Sequence, residues 1–327
     1  MNSYGIWKMT WTELKAVIDR NDSFLISSHL SMDGDSIGSQ LAMYWYLKSL
    51  SKRVSIYNHD TLPSRFSFLH NSSAISYTKP KDSFDVLVIL DCSNPDRLGW
   101  SGHDSISRFM VNIDHHRDNT HFADINIVDK DVAATAQLIY LFFESLAVDY
   151  PREVAEYLYI AIMTDTGGFR FSNTTSAVLR ICSHLAEKGL NCSEMYQRAY
   201  DSHTRSGMML WSRIWSSLEF FLDDRICALK LPLSLIDELG ASYSDSEGIA
   251  DRTVLAQGVE VGMFIKYKDT ETHFSLRSRG DVDVGKIAQK IPGGGGHGSA
   301  AGCTIYMPYE EAIAYMLDII RKELDSH

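Results

Sequence analysis

The chain has 327 residues, which at about 150 residues per domain predicts two domains. Its hydrophobic fraction of 45% is ordinary for a globular protein, so both domains can bury a core. A formal net charge of −11 argues against a protein that coats long nucleic acid, so no long-DNA binding is expected. A nucleotide substrate would then need local positive charge, which bound metal ions could supply.

The first half alternates short apolar runs with amphipathic stretches, which is typical of strands joined by crossover helices in a largely parallel sheet. Strands are predicted over 24–28, 54–57, 85–90 and 110–113, and helices over 37–50, 133–146, 152–163 and 174–188. Further along, strands are predicted over 226–231, 259–267 and 273–277, followed by a glycine-rich loop and a final helix over 308–325.

Between these halves, an apolar stripe at alternating spacings of three and four predicts a helix over 203–222. The stripe consists of Met208, Trp211, Trp215, Leu218 and Leu222. Such a stripe more often packs in a core or between domains than binds a ligand. The predicted fold is α/β, with an N-terminal parallel-sheet domain (1–200) that carries helices on both faces. A helical linker (201–222) and a smaller C-terminal α/β domain (223–327) across a cleft complete it.

Five cysteines lie far apart without a CxxC pair, so neither a disulfide framework nor a thiolate zinc site is indicated. They are expected to be free thiols in a reducing compartment. The N-terminus lacks a basic segment followed by an apolar stretch, and nowhere do about 18 apolar residues run uninterrupted. A cytoplasmic protein without a membrane segment is therefore expected.

Acidic and imidazole side chains follow four of the predicted strands or helices at the point where each ends. They lie in HLSMDGD at 29–35, DCS at 91–93, DHH at 114–116 and TDTGGF at 164–169. Because ligands in open α/β sheets bind outside the carboxyl ends of the strands, these side chains are expected to form one site.

Each segment has a simpler interpretation when it is taken alone. Asp33, Asp35 and Asp165 could each be a helix N-cap, and His115 with His116 could be a surface or hydrogen-bonded core pair. Capping does not account for four such ends together, and carboxylates gathered at one edge repel each other unless cations lie between them. The four segments together therefore predict a metal site.

Imidazole and carboxylate groups without thiolates suit Mn²⁺ or Mg²⁺ better than structural zinc, and Mn²⁺ is the first choice. Two ions about 3.5–4 Å apart would hold the attacking and leaving oxygens of an in-line displacement at phosphorus. Such a pair needs at least one shared carboxylate. The predicted cofactor is two Mn²⁺ ions, with Mg²⁺ as the other candidate.

Taken together, the four segments resemble the four motifs of the DHH phosphoesterase family. GGGGHGSAAG at 293–302, with FSLRSRG at 274–280, resembles the DHH-associated substrate-binding domain. These motifs span residues 29–302, nearly the whole chain, in the family's order. The resemblance implies a DHH catalytic domain over 1–200 and a DHH-associated domain over 223–327.

The resemblance also implies a role for each site residue. The implied metal ligands are His29 and Asp33 for one ion, Asp35, His115 and Asp165 for the other, and Asp91 as the bridge. Asp114 would orient the ligand imidazole from outside the metal site. His116 would face the substrate, where it would hydrogen-bond the phosphate or assist proton transfer to the leaving oxygen.

The glycine run at 293–296 is neither a Rossmann fingerprint nor a P-loop, because the acidic residue of the first and the Gly-Lys-Ser/Thr of the second are absent. It could be a flexible linker, but the small residues at 299–302 let a backbone approach a ligand closely. Arg277 offers a planar fork of donors, although Arg277 and Arg279 could instead be exposed strand charges. The predicted substrate contacts are Arg277, Ser278, Gly294, Gly295, Gly296 and His297.

Within the family, a pair of domains of this length without added modules is similar to the nanoRNase type. That type removes nucleotides from RNAs of two to a few residues and dephosphorylates 3′-phosphoadenosine 5′-phosphate. The expected partners are therefore short RNA oligonucleotides and mononucleotide bisphosphates, and the chain is compatible with a homodimer. Hydrolysis of cyclic dinucleotides or their linear products is the alternative, because it uses the same site chemistry.

Three other functions are less favoured. A long single-stranded DNA exonuclease would benefit from a basic channel, which the net charge of −11 does not indicate. A pyrophosphatase or polyphosphatase shares the first-half motifs, but the GGGGH loop favours a substrate that carries a nucleoside. A catalytically inactive nucleotide sensor is disfavoured because every ligand position is filled.

Overall fold

The computed structural model describes residues 3–296 and 298–325. The chain divides after Ser202 into two compact units. None of the helices in the described ranges has the length and apolar content that crossing a bilayer requires.

The first unit is built around a six-stranded sheet in which every neighbouring pair of strands is parallel, in the order β3-β2-β1-β4-β5-β6. Its strands are β1 (Ser23–Ser27), β2 (Arg53–Tyr57), β3 (Ile75–Ser76), β4 (Phe84–Leu90), β5 (Ser107–Asp114) and β6 (Ile125–Val128). Its helices are α1 (Ser3–Arg20), α2 (Gly34–Ser49), α3 (His103–Ile106), α4 (Thr135–Ser145), α5 (Arg152–Asp165), α6 (Ser176–Glu187) and α7 (Cys192–Tyr200).

The central strands of this sheet are buried on both faces, as their continuous apolar runs require. Alternate residues such as Phe24 and Ile26 pack into the larger core together with α1, α2 and α4 to α7. Leu25 and Leu87 face the other side, which α3 and the 3₁₀ turn Pro95–Leu98 cover. The predicted parallel α/β unit with helices on both faces is confirmed.

The order of the strands fixes where a ligand can bind in this unit. Successive strands run outward from β1 to β3, and from β4 to β6 on the other side, so the chain changes direction between β1 and β4. The loops that follow adjacent parallel strands diverge at such a switch point and leave a crevice at the carboxyl ends.

Close packing of α2 against α5 gives a first testable expectation. A Cβ added at Gly38 would overlap the carbonyl oxygen of Tyr157 and lie 2.9 Å from the Cβ of Ala161. Backbone in a helix cannot move aside as a side-chain tip can, so Gly38→Ala is expected to lower the free energy of unfolding by about 1–3 kcal/mol. Chemical denaturation measures this, with the exposed Lys48→Ala on the same helix as the control. A Gly38→Ala protein as stable as that control would contradict the close packing.

The second unit contains a mixed sheet in the order β11-β12-β10-β9-β8-β7. Its strands are β7 (Glu219–Phe221), β8 (Ile226–Pro232), β9 (Val261–Lys268), β10 (Glu271–Ser278), β11 (Gly295–Gly296) and β12 (Ala300–Ile305). Its helices are α8 (Arg205–Trp215), α9 (Ser234–Leu239), α10 (Val284–Gln289) and α11 (Tyr309–Leu324). One face of the sheet packs with α10 and α11, and the other with α8 and α9, so the smaller α/β domain is confirmed.

The prediction of a helix over 203–222 is wrong for the second half of that segment. Helix α8 ends at Trp215, and Glu219–Phe221 is a strand because its backbone pairs with β8. The chain turns back through Leu222, whose φ of 52° is left-handed. The expected stripe packs only in part, since Met208 is 55% exposed whereas Trp211 packs against the core that contains Leu210 and Ile214.

The prediction of a glycine-rich loop is also wrong in part, because Gly295–Gly296 and Ala300–Ile305 pair as antiparallel strands. The five cysteines are free thiols, as expected.

Candidate active site

The carboxyl ends of the central strands carry most of the candidate site residues. His29 lies two residues beyond β1, Asp91 follows β4 directly, and Asp114 ends β5 immediately before His115 and His116. The helices supply the remainder, since Asp33 and Asp35 lie at the start of α2 and Asp165 is the last residue of α5.

Asp91 lies at the centre of these side chains and is 1% exposed. Its Oδ2 lies 3.3 Å from Nε2 of His29, and its Oδ1 lies 3.4 Å from Nε2 of His115. The two carboxylate oxygens therefore face different histidines. The backbone of Asp91 has a φ of 57°, a left-handed conformation that is costly for a non-glycine residue and is found most often at functional sites.

Two groups of side chains at Asp91 have the dimensions of metal sites. His29, Asp33 and Asp91 form one, and Asp35, His115 and Asp165 form the other, each with its ligand atoms within 4.8 Å of one another. The donor set contains imidazole and carboxylate but no thiolate, which fits Mn²⁺ or Mg²⁺. A third such group joins Asp91, His115 and His116.

The N-terminus of α4 holds Asp35 in place. The carboxylate of Asp35 accepts hydrogen bonds from the backbone N–H groups of Thr135 at 2.6 Å and Ala136 at 3.0 Å. The hydroxyl of Thr135 also donates to Oδ1 of Asp91 at 3.1 Å. Thr135 was not among the predicted site residues. The available signal was its position at the start of α4, because the N-terminus of a helix attracts carboxylates.

The interpretation of single site carboxylates as helix N-caps is right for Asp33 and wrong for Asp165. Asp33 is the N-cap of α2, where its Oδ1 accepts a hydrogen bond from the N–H of Ser36 at 3.0 Å. Asp165 ends α5, so it caps no helix start.

Asp114 contacts a different imidazole from the one expected. Its Oδ1 lies 2.7 Å from Nδ1 of His116, the residue expected to face the substrate, rather than holding the ligand candidate His115. Asn119, which sequence reasoning missed, donates to Oδ2 of Asp114 at 2.6 Å and fixes that carboxylate in turn.

Burial and neighbouring charges shift the pKa values of several site residues. Burial and then the charge on Asp91 raise the pKa of Asp35, and burial raises the pKa of Asp165 to about 7. Burial lowers the pKa of His29, but the hydrogen bond to Asp91 and nearby carboxylate charge outweigh it and raise that pKa to about 9. Burial also raises the pKa of Asp91, yet the two adjacent histidines hold it well below its usual range. A cation in the site would relieve the repulsion that raises the carboxylate pKa values.

The substrate-contact candidates lie together at one end of the second unit's sheet. Arg277 and Ser278 end β10, where Arg277 is opposite Ala300 of β12. Gly295 and Gly296 form β11 on the other side of β12, and Gly294 precedes them. The backbone N–H of Ser278 donates to Ser299. His297 lies outside the described residues.

Sequence comparison agrees with the fold. Residues 23–162 match the model of the DHH family, N-terminal domain, and residues 223–326 match that of the DHHA1 domain. A parallel sheet with a cluster of acidic and imidazole groups at its switch point, joined to this second domain, defines a hydrolytic enzyme of the phosphoesterase class.

Full-length relatives make the assignment more specific. A protein from Thermus thermophilus named bifunctional oligoribonuclease and PAP phosphatase NrnA is 33% identical over 303 residues, covering 91% of this chain and 89% of that protein. A protein of the same name from Bacillus subtilis is 24% identical and covers 94% and 97%. The chain therefore belongs to the DHH phosphoesterase family.

Solved structures share the fold. The crystal structure of an exopolyphosphatase-related protein from Bacteroides fragilis has a TM-score of 0.88 and 24% identity, covering 97% of this chain and 96% of that one. RecJ from Thermus thermophilus in complex with Mn²⁺ has a TM-score of 0.54 and 12% identity, covering 98% of this chain and 55% of that one.

Proposed function

We propose that this protein is a Mn²⁺-dependent phosphoesterase that hydrolyses very short oligoribonucleotides and 3′-phosphoadenosine 5′-phosphate. The observation that carries the proposal is the position of Asp91, whose two oxygens face two separate groups of imidazole and carboxylate ligands. Two relatives named as bifunctional oligoribonuclease and PAP phosphatase support the choice of substrate class.

In this proposal two groups of side chains would hold two ions. His29 with Asp33 would hold one, Asp35 with His115 and Asp165 would hold the other, and Asp91 would be the ligand that they share. When bound, the ions would supply a nucleophilic water near neutral pH and positive charge beside the phosphorus. The hydrogen bonds from the backbone of α4 fix the orientation of the Asp35 carboxylate, which supports its proposed role as a ligand.

His116 is proposed to act on the substrate. Its Nδ1 is engaged by Asp114. In this proposal its Nε2 hydrogen-bonds a phosphate oxygen or delivers a proton to the leaving oxygen. Burial lowers its pKa, but the hydrogen bond to Asp114 outweighs this and raises it, which favours the protonated, donating form. Asp114 and Asn119 keep the ring in one orientation.

The second unit is proposed to recognise the nucleotide. Arg277, Ser278 and the glycines of 294–296 lie on neighbouring strand ends of one sheet, where an Arg fork and exposed backbone could contact phosphate and base. His297 is included in this proposed set from its place in the motif. Residues 1–200 would then carry catalysis and residues 223–327 recognition.

A substrate panel tests the proposed function. The purified protein with Mn²⁺ is given 3′-phosphoadenosine 5′-phosphate, RNAs of two to five nucleotides, cyclic and linear dinucleotides, pyrophosphate and a long RNA. We expect the highest kcat/KM with the dinucleotide RNA and phosphoadenosine phosphate, and loss of all activity with a chelator. Preference for cyclic dinucleotides would favour the alternative function, and preference for pyrophosphate or the long RNA would contradict the proposal.

A further inference from the structure

Arg277 lies on a part of the second unit's sheet that is built from small residues. It is opposite Gly262 on β9 and Ala300 on β12. Its neighbour Leu276 is fully buried in the core on the other face. The Arg277 side chain therefore projects from the face that α8, α9 and the segment 249–253 partly cover.

The absence of a side chain at Gly262 brings that segment close to the sheet. A Cβ added there would overlap Oγ1 of Thr253 and lie 2.6 Å from its Cβ and 2.9 Å from its carbonyl carbon. Thr253 is fully buried, and its hydroxyl donates to the carbonyl of Ala250 at 2.6 Å, which locks the 3₁₀ turn Ala250–Arg252. The turn is thus fixed on the sheet next to the Arg277 position.

The middle residue of that turn is Asp251, and it binds the guanidinium directly. Nε of Arg277 donates to Oδ1 of Asp251 at 2.6 Å, and Nη1 donates to the carbonyl of Leu276 at 3.0 Å. Nη2 makes no hydrogen bond to the described residues. The two side chains are 28% and 29% exposed, so the pair is accessible to a ligand but shielded enough to hold its geometry.

We propose that Asp251 is a positioning residue that sets substrate preference by fixing the Arg277 guanidinium with its Nη2 edge presented to a phosphate of the nucleotide. This inference rests on the proposed function, because it assigns the bound ligand as a nucleotide. An unanchored arginine would have to order several rotatable bonds when it binds, and an anchored one loses less entropy. Asp251 acts as a hydrogen-bond acceptor of defined position, so its charge is not the property that matters.

The test compares two substrates of the 327-residue chain with Mn²⁺. The readout is the ratio of kcat/KM for a dinucleotide RNA to kcat/KM for the generic ester bis-p-nitrophenyl phosphate. Asp251→Ala is expected to lower this ratio about 5–30-fold, and Arg277→Ala about 10–150-fold. Asp251→Asn keeps an acceptor oxygen for Nε, so its ratio should stay within about 3-fold of the unmodified protein. Adding Asp251→Ala to Arg277→Ala should cause no further loss.

Glu238→Ala is the matched control, because Glu238 is an exposed acid of the same unit that pairs with Arg213 at 3.4 Å. It should leave the ratio unchanged. The inference is overturned if Asp251→Ala lowers both activities equally, if Asp251→Asn is as poor as Asp251→Ala, or if either variant raises the ratio. A double variant worse than Arg277→Ala alone also overturns it. An Arg277→Ala protein whose ratio is unchanged overturns the inference as well. Failure of the proposed function is seen separately, as an unmodified protein that does not hydrolyse the dinucleotide RNA.

Discussion

Replacing Asp91 with Ala is expected to lower kcat more than about 1,000-fold at saturating Mn²⁺, a loss above about 4 kcal/mol in transition-state stabilisation. The reason is that Asp91 faces His29 through one oxygen and His115 through the other. Its removal therefore takes a ligand from both proposed ions at once. Elemental analysis of the purified variant should show loss of bound Mn²⁺ together with the loss of turnover.

Asp104→Ala is the control for this experiment, because that carboxylate is 84% exposed in the same unit. It should keep turnover and metal content close to those of the unmodified protein. Since Asp91 is fully buried, thermal melting must show that the variant is folded before the result is read. An Asp91→Ala protein that keeps more than a few per cent of activity at saturating Mn²⁺ would rule out the bridging role.

His115→Ala and His116→Ala are expected to separate metal binding from substrate chemistry. Nε2 of His115 lies within 3.8 Å of three carboxylates, those of Asp35, Asp91 and Asp165, so this variant should lose about one ion per protein. Nδ1 of His116 is instead engaged by Asp114. His116→Ala should therefore keep nearly all its metal, while kcat falls by about 100–10,000-fold, as is typical when a general acid is removed.

Metal content and kcat measured on the same preparations decide between the two roles. Equal loss of metal from both variants would show that the two histidines act together as ligands. This is a definite alternative, because Asp91, His115 and His116 together also form a group that could hold a metal ion. Full activity of His116→Ala would remove it from the proposed chemistry while leaving the metal ligands unaffected.

The sequence by itself determined the fold class and the candidate site to a large extent. Residues 24–26 and 86–90 are apolar throughout, as expected of strands buried on both faces. The strands predicted over 24–28 and 85–90 were found within one residue at each end. The site residues could be predicted because each follows a strand or helix end, and the carboxyl ends of parallel strands lie at one edge of a sheet. Whether they act as ligands stays a prediction.

Local patterns were insufficient wherever partners distant in sequence decide the structure. The three-four spacing over 203–222 was overridden by pairing of Glu219–Phe221 with β8, because strand hydrogen bonds satisfy backbone that would otherwise continue a helix. Pairing with β12 likewise makes part of the glycine run a strand, β11.

Only the tertiary structure decided which groups orient the site residues. Thr135 contacts Asp35 from 100 positions away in the chain, and Asp251 reaches Arg277 because Gly262 lets a turn lie against the sheet. Sequence pattern predicts which face of an element is buried, since that depends on nearby residues. A hydrogen bond between distant side chains depends on how the elements pack, and no local period encodes it.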